Sequence, residues 1–173
     1  MNLGLKDKVA LVLASSKGMG LASALALAEE GMNVAICART KSEVKKAAAQ
    51  IESATKRPVL WRSLDVTRRK EARDMVACVL KELGGLHVLV TNCGGPPPGK
   101  PLEITDAQWD EAVTSTLMVA VNWARAAAPV MVSQRWGRII NITSIAVKQP
   151  VDGLILSNTM RAGVAGFAKT LAK

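Results

Sequence analysis

Six consecutive residues, Ser15-Ser16-Lys17-Gly18-Met19-Gly20, are the types and spacing in this chain best suited to chemistry. They follow a short apolar run, Val9 to Leu13, and precede the helix-favouring Leu21-Ala22-Ser23-Ala24-Leu25-Ala26. A buried strand, a tight turn and a helix start are expected. Small residues and glycines let backbone amides approach a ligand closely, and the first unpaired N–H groups of a helix meet it with the positive end of the helix dipole. An anion, a phosphate above all, is the guest such a turn suits. The spacing is not GxGxxG, and the same two glycines also suit a strand-to-helix turn with no ligand.

Other reactive types are sparse. Cys37, Cys78 and Cys93 are odd in number and widely separated, which supports neither a disulfide framework nor a zinc site, so no metal is expected. His87 is the only histidine and falls at the start of a predicted strand, where a structural role is expected. The net charge of +9 is spread over several helices, with one Phe and no Tyr to stack on bases, so an anionic cofactor or substrate accounts for it better than nucleic acid. With 173 residues, 49% of them hydrophobic, the chain is long enough for one domain spanning 1–173. It has no apolar run long enough to span a bilayer, and its start, MNLGLKDK, has no signal core. A soluble, cytoplasmic protein is expected.

The elements that must position the turn alternate along the chain. Strands are predicted at Val9–Leu13, Val34–Ala38, Val59–Leu64, Leu86–Thr91 and Arg138–Thr143. Helices are predicted at Leu21–Glu30, Lys41–Thr55, Arg68–Leu83, from Asp106 to about Ser133, and from Leu156 to Lys173. Thr40 with Glu43, and Thr105 with Gln108, have the capping-box spacing. Pro129 removes a backbone donor inside the longest helix and is the place for a bend. Short apolar strands separated by helices, without hairpin signals, imply a doubly wound parallel α/β sheet. In such sheets ligands sit outside the carboxyl ends of the strands.

At those ends the chain resembles the classical short-chain dehydrogenase/reductase family, from Lys6 to Lys173. The family's TGxxxGxG turn falls on Leu13 to Gly20, keeping Gly18 and Gly20 and replacing the leading Thr-Gly by Leu13-Ala14. Its adenine-contacting Asp matches Asp65, followed by Val66, and its NNAG falls on Thr91-Asn92-Cys93-Gly94. Its catalytic Ser matches Ser144. The resemblance implies a Rossmann-like fold, a nicotinamide dinucleotide held by Ser15, Ser16, Lys17, Gly18, Met19, Gly20, Asp65, Val66, Asn92 and Gly94, and hydride transfer with a small carbonyl or alcohol substrate. It also implies a homo-oligomer. A ribose diol usually meets an acid after the second strand, whereas a 2′-phosphate wants a cation. The chain reads Ala38-Arg39-Thr40 there, and with Lys17 this favours NADP over NAD; solvated surface residues are the alternative.

The departures bear on activity. The family's Tyr, thirteen residues after the Ser, matches Ser157; its Lys matches Arg161; and its helix Asn falls on Thr116. A Ser hydroxyl is a far weaker acid than Tyr, and Arg stays protonated. Arg161 can still donate to a carbonyl oxygen gaining charge, or grip a carboxylate, with Ser144 orienting the same oxygen. The expectation is an NADP-dependent oxidoreductase with Ser144, Ser157 and Arg161 as catalytic candidates; the alternative is a catalytically impaired dinucleotide-binding protein with a regulatory or structural role. Pro96-Pro97-Pro98 is expected to be either a wall of the substrate pocket or a stiff connection. Lys173 falls within a predicted helix while family members continue into further strands, so a truncated chain is expected.

Overall fold

The computed structural model describes residues 3–173; Met1 and Asn2, which open the segment read as having no signal core, lie outside the described residues. Five strands, β1 (Val9–Val12), β2 (Asn33–Ala38), β3 (Val59–Ser63), β4 (Val88–Thr91) and β5 (Arg138–Asn141), form one parallel sheet in the order β3-β2-β1-β4-β5. The helices are α1 (Gly18–Glu29), α2 (Lys41–Thr55), α3 (Arg69–Leu83), α4 (Asp106–Ala112), α5 (Met118–Ser133) and α6 (Ile155–Leu171). The doubly wound parallel α/β prediction holds.

The sheet forms because its central strands are apolar on both faces. Every residue of β1 and β4 is buried. Successive side chains of a strand point to opposite faces, so Val9, Leu11 and Leu13 join a core with α3 and α5, while Ala10 and Val12 join another with α1 and α2. Trp123 of α5 is fully buried in the first core, and its indole N–H donates to the Val66 carbonyl at 2.8 Å. β1 pairs with β2 on one side and β4 on the other, Leu11 standing opposite Ala35 and Leu89. The connections diverge to opposite faces there, and that divergence opens a crevice above the carboxyl ends of β1 and β4.

Local chemistry decided where elements begin. α1 starts at Gly18, three residues earlier than predicted, because glycine adopts the left-handed φ of +58° that turns the chain into the helix. Thr105 and Gln108 form their reciprocal capping box. The box predicted at Thr40 does not form: Thr40 makes no side-chain cap, and Glu43 accepts a hydrogen bond from the Ser16 hydroxyl at 3.4 Å instead. The long helix is interrupted not at Pro129, which lies inside α5, but at Val113–Leu117, a π-helical segment between α4 and α5. Strand β5 lies at the sheet edge, with Ile140 half exposed. No helix among the described residues is long and apolar enough to cross a membrane.

Candidate functional site

A cleft of about 550 Å³ opens above the carboxyl ends of β1, β2 and β4. Its floor is the turn after β1. Ala14 takes a left-handed φ of +45°, unusual for a residue with a Cβ, and its carbonyl accepts from the Asn92 side-chain amide at 3.1 Å. Gly20 packs against both: a Cβ there would lie 2.7 Å from the Ala14 carbonyl oxygen and 2.8 Å from the Asn92 amide nitrogen. Gly18, by contrast, faces open space. No side chain caps the start of α1 and no acid lies in its first turn, so its opening N–H groups and the positive end of its dipole have no compensation from within the helix, beside the cleft that Ser16, Lys17 and Met19 line.

Of the residues predicted to hold a cofactor, Ser16, Lys17, Met19, Arg39, Asp65, Val66, Asn92 and Gly94 line this cleft. Ser15 does not. It is fully buried: its hydroxyl donates to the Val12 carbonyl of the preceding strand at 2.8 Å and accepts from the Cys37 N–H at 3.3 Å, and its backbone N–H donates to the Cys37 carbonyl at 3.0 Å, so it ties the end of β1 to β2 instead of facing a ligand. The Thr67 backbone N–H, which donates at 3.0 Å, holds the Asp65 carboxyl below the usual carboxylate range; the Thr67 hydroxyl at 2.8 Å and the Arg39 and Arg68 cations act in the same direction.

Two acidic wall residues escaped the sequence. Glu43, read there as half of a capping box, reaches the cleft beside Ser16, and Glu111 enters from α4 one residue before its end. No spacing rule links either to the glycine turn. Pro96 and Pro97 line the cleft, and Gly99 joins Gly153 through an N–H to carbonyl bond of 2.7 Å, which ties the proline loop to the loop before α6.

The three catalytic candidates stand apart from the cleft lining. The Ser144 hydroxyl accepts from the Ala146 N–H at 3.2 Å, starting a short 3₁₀ turn after β5. Ser157 is half buried on α6. The Arg161 guanidinium donates to the Ile142 carbonyl at 3.1 Å and passes under the loop at Gly95, where a Cβ would meet it at 3.8 Å. Arg161 and Thr116 line one small void, and the Arg161 Nε and Thr116 Oγ1 are both buried without a hydrogen-bond partner among the described residues. Thr116 sits in the π-helical segment, so that irregular turn is what places it on the same void as Arg161. Cys93 borders the same void; burial pushes its thiol up, and the Arg161 charge offsets part of the rise.

His87 is structural, as its place implied: its Nδ1 accepts from the Val9 N–H at 3.1 Å, its ring meets Trp136 at 5.7 Å, and burial, with Lys8 nearby, lowers its pKa. Among the described residues no group of three His, Cys, Asp or Glu side chains is placed to hold a metal.

Three comparisons bear on this geometry. The family described as short chain dehydrogenase matches residues 8–173. The chain is 32% identical over 169 residues to the 3-oxoacyl-acyl-carrier-protein reductase FabG of Staphylococcus epidermidis, covering 96% of this chain and 68% of that protein. The crystal structure of L-sorbose reductase from Gluconobacter frateurii, complexed with NADPH and L-sorbose, superposes with a TM-score of 0.95 at 32% identity, covering 99% of this chain and 65% of the other. NAD⁺-bound xylitol dehydrogenase shares the fold, with a TM-score of 0.91 at 24% identity. The chain thus spans about two thirds of these proteins' lengths.

Proposed function

The chain belongs to the short-chain dehydrogenase/reductase family of oxidoreductases, and from that premise we propose that it binds NADP in the cleft above β1, β2 and β4 and transfers hydride to or from a small carbonyl or alcohol substrate. The observation that carries the reading is the uncapped, acid-free start of α1 with Lys17 and Arg39 on the same cleft wall. The residues fit the group. The N–H groups at Gly18, Met19 and Gly20 suit a pyrophosphate, Lys17 and Arg39 a 2′-phosphate, and Asp65 and Val66 the adenine end. When bound, the nicotinamide supplies or accepts the hydride. L-Sorbose reductase was crystallised in complex with NADPH, which supports the same cofactor here.

On the protein side, Ser144 is the candidate to orient a substrate oxygen, and Arg161 the candidate to stabilise charge developing on it. In the structure the Arg161 guanidinium donates to the Ile142 carbonyl, so its remaining N–H groups are the ones available for that role. With no tyrosine in the chain, Ser157 at the matching position is the hydroxyl left to carry a proton.

Calorimetric titration with NADPH and NADH tests the reading, followed by NADPH oxidation with a panel of carbonyl compounds. NADPH binding at least tenfold tighter than NADH, with the preference removed by K17A and R39A together, is expected. No binding of either overturns it. Binding without turnover of any carbonyl leaves a dinucleotide-binding protein without this chemistry.

A further inference from the structure

A second recess, of about 210 Å³, lies between α3 and α5, lined by the exposed Arg69, Arg73 and Arg125 with Asn122 and Ala126. It shares no lining residue with the cleft above the sheet. Arg69 and Arg73 stand four apart on α3 and so share one face of that helix, and Arg125 meets them from α5. Three like charges around one recess repel one another, and among the described residues no side chain of the three makes an ion pair or a hydrogen bond. Their neighbour Lys70, by contrast, is paired, its ammonium lying 3.7 Å from Asp74 on the same helix.

The start of α3 adds further cations beside the recess. The helix opens on Arg68-Arg69-Lys70, cations at the positive end of the dipole, and no side chain caps Arg68. Glu71 is the acid of that first turn, one negative charge against the three cations. We infer that the recess framed by Arg69, Arg73, Arg125 and Asn122 is an anion site separate from the cleft, which takes a phosphoryl group. Guanidinium groups present planar forks that match phosphate oxygens bidentately, and a dianion answers three cations better than one carboxylate does. The volume falls below the roughly 300–1,000 Å³ typical of whole-ligand sites, so the recess holds a phosphate head and not an entire nucleotide.

The test is titration of the ¹⁵N-labelled chain with inorganic phosphate and, separately, with O-phosphoserine, at ionic strength held constant with chloride. Saturable shifts of the amides over 69–73 and 122–126 are expected. R73A and R125A should each weaken binding on the order of tenfold, as loss of one charge-assisted contact implies, with R73K and R125K in between. K17A should leave these shifts unchanged. Tighter phosphoserine assigns the site to a phosphomonoester; tighter inorganic phosphate assigns it to the free ion. Shifts that rise linearly without saturation, that vanish in K17A, or that survive R125A and R125Q unchanged overturn the inference.

Discussion

The side-chain amide of Asn92 donates to the carbonyl of Ala14 at 3.1 Å, across 78 positions of sequence, and joins the end of β4 to the turn after β1. The bond holds the floor of the cleft while Ala14 keeps a left-handed φ of +45°. That conformation costs a residue with a Cβ about 1–2 kcal/mol, against about 0.5–1 kcal/mol of backbone entropy that glycine loses. A14G should therefore raise stability by about 0.5 kcal/mol. N92A should lower it by about 1 kcal/mol and weaken NADPH binding, since the turn loses its tie. Urea unfolding and calorimetry read both; a destabilised A14G refutes the strain assigned to Ala14.

Much of this floor was legible in the sequence. The apolar runs of β1, β2 and β4 and the glycines at 18 and 20 locate the turn, because a parallel strand buried on both faces has little freedom in composition. The acidic wall was not legible. Glu43 stands three residues after Thr40, a spacing that satisfies a local capping rule, and only the folded chain offers it the Ser16 hydroxyl instead. The π-helical turn at Val113–Leu117 was equally hidden, since a helix that widens for five residues keeps nearly the same side-chain pattern. Ser15 looked like its neighbour Ser16, yet strand pairing with Cys37 turned it inward.

The two turn glycines have different reasons to be glycine, and substitution should separate them. A Cβ on Gly20 meets backbone on two sides, at 2.7 Å from the Ala14 oxygen and 2.9 Å from the Ser15 Cα, so the turn must shift. G20A should cost about 1–3 kcal/mol and abolish NADPH binding. At Gly18 the space is open and only the φ of +58° is strained, so G18A should cost about 1 kcal/mol and reduce affinity without abolishing it. Equal losses for the two variants refute this division.

Glu43 opposes the cofactor proposed for the cleft. It shares the wall with Lys17 and Arg39 and adds one negative charge where a 2′-phosphate is expected. E43Q keeps an oxygen acceptor for the Ser16 hydroxyl and removes the charge. NADPH should bind on the order of two- to fivefold tighter, with NADH little changed and the gain shrinking as salt rises. An equal gain for NADH places the carboxylate away from the 2′-phosphate.

Cys37 makes folding sensitive to alkali. Complete burial pushes its thiol up from the ordinary 9.0 to about 12. Between those values the unfolded chain has released the proton while the folded chain retains it, so the unfolded state binds fewer protons and stability falls as pH rises. The contribution is full below pH 9 and is lost progressively toward pH 12. C37A removes the titration. It should be less stable near neutrality by about 1 kcal/mol, the cost of the missing sulfur, yet lose less stability than the parent between about pH 9 and pH 11. Urea midpoints for the two proteins across that interval decide the matter: converging curves support a thiol kept neutral by burial, and parallel curves refute it.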